Sequence, residues 1–258
     1  MGKKRPERCR FLGNIRVLAF LFFSLTTASI ALAGQWRVSP IRLEFDARVR
    51  TGVITVVNEG DEKINFQVKA AEWSQDAEGK DRYEETREII FFPRVMALDK
   101  KEERVIRAGI RIPAAAREKT YRLFIEEIPA PRKGEGAMVA VNIRFGVPMF
   151  VKPLKEDPKA ELEKIELSKG ALNASLKNTG NVHLMVNSIE VKGKNAKGEE
   201  TFSKELSGWY LLSGVARRYT MAIPEALCKE ISGVDIEVKT DKLKLSGRLD
   251  VHQEMCLP

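Results

Sequence analysis

Three features of the sequence predict an all-β protein built as two antiparallel β-sandwiches. From Trp36 onward apolar and polar residues alternate at period two, the signature of half-buried strands. Turn chemistry such as Asn58-Glu59-Gly60-Asp61 and Gly134-Glu135-Gly136 breaks these runs at short intervals. No stretch carries a sustained helical stripe with caps.

In chain order the first runs fall near residues 37–45, 52–58, 63–73, 88–98, 103–110, 119–128 and 137–151. Ile41, Leu43 and Phe45 alternate with Arg42 and Glu44, and Ile64, Phe66 and Val68 with Asn65 and Gln67. Strands in this number and spacing make one sandwich. After Lys152-Pro153 comes a charged stretch, Leu154 to Lys159, whose Pro158 lacks a ladder donor. The domain boundary is placed there, between 153 and 154. A second all-β domain follows, with runs near 161–167, 171–177, 182–192, 200–206, 217–222, 231–238 and 242–251. Within it, Pro224 to Cys228 can start a helical turn. No internal repeat stands out.

Ahead of the strands, residues 1–33 show the three zones of a cleavable secretory signal. These are a basic stretch (Lys3, Lys4, Arg5, Arg8, Arg10, Arg16), an apolar run from Val17 to about Leu32, and the small-residue site Ala31-Leu32-Ala33. Ser24, Thr26, Thr27 and Ser29 interrupt the apolar run, against a membrane anchor of roughly 20 apolar residues. Cleavage between Ala33 and Gly34 would remove six basic residues and one acidic one, taking +5 of the net +8 and leaving +3. So small an excess argues against a nucleic-acid partner. Cys9 leaves with the signal, and an even pair, Cys228 and Cys256, remains. In an exported protein such a pair reads as a disulfide, here closing a loop of about 27 residues and constraining the unfolded chain by roughly 3 kcal/mol.

Catalytic chemistry is not visible. His183 and His252, the two histidines, lie on strand-like segments at the wrong spacing for a zinc helix. There is no Gly-x-Ser-x-Gly elbow, glycine-rich phosphate loop or Cys-x-x-Cys. Asp76 to Asp81 lacks the alternating oxygen ligands of a calcium loop and reads as a solvated hairpin tip. No enzyme activity, cofactor, metal or small-molecule substrate is expected.

One segment departs from ordinary strand patterning. Val139, Val141, Ile143, Phe145 and Val147 share one face, opposite Ala140, Asn142, Arg144 and Gly146, and form an extended apolar comb. It is either a core strand or a strand offered to another protein.

Around the comb the chain resembles the periplasmic chaperones of the chaperone-usher pilus pathway. Pro40-Ile41-Arg42-Leu43-Glu44-Phe45 looks like that family's first strand, and Phe91-Phe92-Pro93-Arg94-Val95 like its proline-aromatic segment. Tyr121 to Pro129 looks like its Tyr-Arg-x-x-x-x-x-Ile-Pro strand, and Val147 to Pro153 like its domain exit. Four motifs in register over about 115 residues carry the likeness. The second domain adds only its all-β character, its length and the paired cysteines that some members have.

The resemblance implies two immunoglobulin-like antiparallel sandwiches in an L-shaped arrangement, residues 34–153 and 154–258, working in the bacterial periplasm. It implies a one-to-one complex with a pilus or fimbrial subunit and handover to an outer-membrane usher. The chaperone would lend residues of about 137–147 to the subunit's incomplete sandwich, with Val139, Val141, Ile143, Phe145 and Val147 as the contacting side chains. Arg42 would grip the subunit's C-terminal carboxylate, and the arm Gly34 to Ile41 would be a free edge beside which the subunit docks. In the family a lysine partners that arginine. Here its position is Pro148, which leaves Arg144 or Lys152 as the second cation. The competing reading is an exported immunoglobulin-like adhesin or binding module in which 137–151 is a core strand.

Overall fold

The computed structural model describes residues 36–129 and 142–256, and from Trp36 on the chain forms one compact unit. The expected signal segment and its expected cleavage site between Ala33 and Gly34, like comb residues Val139 and Val141, lie outside the described residues.

Among the described residues the N-terminal sandwich contains ten strands: β1 Trp36–Ser39, β2 Leu43–Phe45, β3 Thr51–Asn58, β4 Ile64–Gln75, β5 Asp81–Glu85, β6 Ile89–Phe92, β7 Val95–Leu98, β8 Glu103–Ile110, β9 Lys119–Ile128 and β10 Arg144–Val151. One sheet has the order β1-β3-β8-β6. The other runs β2-β10-β9-β4-β5, with β7 also pairing β4. The runs expected as single strands at 37–45 and 88–98 are each cut in two, at Pro40 and at Pro93. Proline supplies no ladder donor, and at both points the chain crosses from the first sheet to the second. Alternation then does what it predicts: Ile54 and Val56 of β3, Phe66 and Val68 of β4, and Ile106 and Ala108 of β8 point into one core with Leu98, Leu123 and Met149.

Eight strands make the C-terminal sandwich: β11 Ala160–Ser168, β12 Ala171–Asn178, β13 Leu184–Lys194, β14 Glu200–Ser207, β15 Tyr210–Leu211, β16 Ala216–Ala222, β17 Gly233–Thr240 and β18 Lys244–Asp250. Its sheets are β11-β12-β16 and β14-β13-β17-β18, with β15 on β13. A separate core lies between them, around Leu172, Leu176, Val186, Ile189, Val234, Ile236 and Val238. The expected helical turn is α1, Glu225–Glu230, and Cys228 within it is bonded to Cys256 in a 3-10 turn. The disulfide therefore ties the end of the chain to the helix and closes one side of this core.

Both sandwiches share a local device. Asn58 ends β3 fully buried, its Nδ2 donating to the carbonyls of Glu62, Leu98 and Asp99 while its Oδ1 accepts from Gly60 N–H. Asn178 ends β12 in the same way, donating to Val182 and Leu211 and accepting from Gly180 N–H. Buried backbone groups at the turn are thereby satisfied in each half.

Candidate functional site

Strand β10 pairs with β9 along its whole length, from Arg144 opposite Glu126 to Val151 opposite Lys119. On its other side β2 reaches it only at Met149–Val151, in parallel. Among the described residues, Arg144–Pro148 is thus an unpaired strand edge. Glu127 N–H donates to the Ile143 carbonyl at 3.1 Å, and in an antiparallel ladder such bonded positions alternate. The odd residues of β10 therefore spend their backbone groups on β9, whereas those of Arg144, Gly146 and Pro148 point to the side without a strand partner, where the Gly146 carbonyl accepts from Arg122 and Pro148 is buried. Pro148 removes no bond from the β9 ladder, because its missing N–H falls on that side.

The comb is offered only in part. Val147 is 0% exposed and lies between the two sheets, so it is a core residue rather than a contact for another protein. The sandwich closes over this part of β10, where β9 flanks one side and β2 begins on the other. Phe145 and Ile143 are half-buried against the same core, and Phe145 meets the Trp36 ring edge-on at 6.3 Å. Asn142, one residue earlier, is exposed. The N-terminal arm is also not free. Trp36–Ser39 pairs with Asn58–Thr55 of β3, and buried Trp36 packs on Phe66 at 4.9 Å while its Nε1 donates to Glu127 Oε1. It forms the edge of the first sheet, next to the end of the comb.

Of the two candidate cations, the structure places Lys152 beside Arg42. Arg42 Nη2 lies 3.1 Å from Glu44 Oε1 and Lys152 Nζ 2.8 Å from Glu44 Oε2. Lys152 also reaches Glu156 at 3.6 Å, and Glu156 in turn reaches Lys242 at 3.3 Å. Hydrogen bonding from Lys152 holds the Glu44 carboxyl below its ordinary range against the opposing effect of burial, aided by the charges of Lys152 and Arg42. The same bond raises Lys152. Because Arg42, Lys152 and Glu44 are 44%, 37% and 35% exposed, each pair adds only about 0.2–1 kcal/mol to stability. Arg144 is held elsewhere, with its Nε 2.7 Å from Glu126 Oε1 and its guanidinium 3.7 Å above the Phe124 ring. Gly146 permits that arrangement, since a Cβ there would sit 3.0 Å from the Phe124 ring. Arg144 is six residues from Phe150, the partner of Glu44, and so about 20 Å away along the strand.

The joint between the two sandwiches carries residues to which the sequence alone assigned no role. Phe150 is 0% exposed and points away from the N-terminal core, stacking on His183 with centroids 3.7 Å apart and 14° between planes. Trp73, Leu212 and Tyr210 complete this third cluster. His183 offers both its backbone N–H and its Nδ1 to Glu118 Oε2, at 2.7 and 2.8 Å, and both side chains are buried. Buried Arg122 lies 4.0 Å from the Trp73 ring and donates to the Gly146 carbonyl at 2.9 Å. Gln75 locks the seam by donating to the Tyr210 carbonyl and accepting from Leu212 N–H, each at 2.9 Å. A signal was present: Trp73 and Phe150 are large aromatics on the faces of β4 and β10 opposite the core-facing side chains.

Residues 35–156 match the family model described as pili and flagellar-assembly chaperone, PapD N-terminal domain. The chain is 25% identical over 150 residues to the chaperone protein FanE of Escherichia coli, a stretch covering 55% of this chain and 61% of FanE. Thus the chain spans about three-fifths of the length of that curated relative. Among solved structures it is similar to one of the CsuC–CsuE chaperone-tip adhesion subunit pre-assembly complex from Acinetobacter baumannii. That match has TM-score 0.58 and 18% identity over 83% of this chain and 98% of the other. The YadV chaperone matches with TM-score 0.56 and 12% identity, over 84% of this chain and all of YadV. At these identities the structural likeness is one of fold.

Proposed function

We infer that this chain, which belongs to the pili and flagellar-assembly chaperone family through its residues 35–156, is a non-enzymatic carrier of pilus subunits. It captures one exported subunit by adding β10 and the residues before it to that subunit's incomplete sandwich, then delivers the subunit to an outer-membrane usher. The observation that carries this reading is the unpaired edge at Arg144–Pro148, which leads back along the chain from buried Val147 to half-buried Phe145 and Ile143. Strand addition draws affinity from main-chain hydrogen bonds along such an edge and specificity from alternate side chains. The same addition covers apolar subunit surface that would otherwise aggregate.

On this reading Val139, Val141, Ile143 and Phe145 face the subunit. The domains meet at 153/154, and removal of residues 1–33 leaves the working protein in the periplasm. Arg42 with Lys152 receives the subunit's terminal carboxylate, two cations suited to its two oxygens. The test is co-production of the tagged mature chain with the exported β subunits encoded beside it, followed by affinity capture. A one-to-one complex is expected, and none with any of them would overturn the reading. Arg42→Ala is expected to lower the yield of complex about tenfold, as loss of a charged hydrogen bond would, with less than about 1 kcal/mol lost in urea unfolding. An unchanged yield would remove Arg42 from the site.

A further inference from the structure

We propose that Glu44 is a built-in occupant of the carboxylate site: its side chain fills, in the free protein, the place that the incoming carboxylate takes in the complex. The inference rests on the reading of Arg42 and Lys152 as that site. Glu44 engages the two cations with one oxygen each, Oε1 on Arg42 at 3.1 Å and Oε2 on Lys152 at 2.8 Å. This is the bridging geometry a terminal carboxylate would need, so the two carboxylates cannot both hold it. The occupant is delivered by its own backbone. Arg42 and Glu44 are two residues apart and share a side of the chain, while pairing of Glu44 with Phe150 brings the end of β10, and with it Lys152, to the same spot.

Displacement is feasible because the seat is not buried deeply. With all three side chains a third to a half exposed, Glu44 can exchange its two cations for water at small cost. The consequence is a selectivity device. An uncharged chain end cannot displace Glu44, and a carboxylate must compete with it.

The test uses the mature chain and its Glu44→Gln and Arg42→Ala variants. The probe is the soluble peptide N-acetyl-Val-Thr-Val-Thr-Tyr with either a free carboxylate or a C-terminal amide, and binding is followed by NMR titration. The wild type is expected to prefer the acid to the amide, and Arg42→Ala to lose that preference. Glu44→Gln is expected to bind the acid roughly three- to tenfold more tightly, with its affinity for the amide unchanged. If the wild type does not distinguish acid from amide, the carboxylate site itself fails and this inference with it. If the wild type does distinguish them but Glu44→Gln binds the acid equally or more weakly, Glu44 is a permanent support for the two cations and only this inference is overturned. A gain shared by the amide would overturn it as well.

Discussion

Phe150→Ala is expected to lower the free energy of unfolding by about 3–5 kcal/mol while leaving the N-terminal core formed. The ring is 0% exposed, stacked on His183, and within 6.0 Å of Trp73 and 5.6 Å of Tyr210. None of these contacts lies between the sheets of the N-terminal sandwich, whose core is filled from the opposite face of β10 by Val147, Met149 and Val151. The loss therefore falls on the seam, and urea unfolding should separate into two transitions as the sandwiches uncouple. Phe92→Ala provides the control, because Phe92 is 75% exposed and its removal should change stability by less than about 0.5 kcal/mol. A single transition of wild-type midpoint for Phe150→Ala would show that the seam does not hold the halves together.

Ile143→Asp carries the largest functional effect. Ile143 is half-buried at the rim of its own core, just before the unpaired edge begins, so a carboxylate there can turn to water in the free protein. Stability should fall by about 1 kcal/mol or less. In a complex the same side chain would have to enter an apolar groove, where burying an unpaired charge is prohibitive. Capture of the subunit is therefore expected to drop below detection while the variant remains folded by circular dichroism. Unfolding of the variant would mean that Ile143 serves the core, and undiminished capture would mean that the strand is not donated.

Much of this could be read from the sequence, and the failures have physical causes. Alternation located β3, β4, β8, β12 and β17 because each buries mainly one face, and the pattern records burial directly. It missed β5, whose five residues are almost wholly exposed, and the two-residue β15. Pro40 and Pro93 were visible, and the buried positions change parity across each, from Trp36 and Val38 to Leu43 and Phe45 and from Ile89 to Met96 and Leu98, but the exposed apolar residues Ile41, Phe92 and Val95 fill the breaks and hide the shift. The same ambiguity affected the comb. Period two continues unchanged from Ile143 through Phe145 to Val147, although only the last is enclosed, because alternation cannot say where a sandwich ends. Within the arm Gly34 to Ile41, the pairing of Trp36–Ser39 was missed for a related reason: Trp36 and Val38 alternate like any strand, and only the register shows their partner in β3.

At the cation site, the family resemblance singled out Arg42 but left Arg144 and Lys152 as equal candidates. Parallel pairing of β2 with the last residues of β10 separates them, and no local pattern encodes that pairing. His183 and Glu118 are 65 positions apart in sequence and meet only at the seam. The repeated asparagine turns at Asn58 and Asn178 were equally hidden, since each amounts to an Asn-x-Gly tripeptide within otherwise unlike surroundings.

Amide hydrogen exchange of β10, with and without the captured subunit, tests the central claim most directly. In the free protein the N–H groups of Arg144 and Gly146 face the open side and should exchange fast, while those of Phe145 and Val147, bonded to β9, should be protected. Strand donation predicts that Arg144 and Gly146 become protected in the complex by at least about a hundredfold. Unchanged exchange at both amides in a stable one-to-one complex would contradict it.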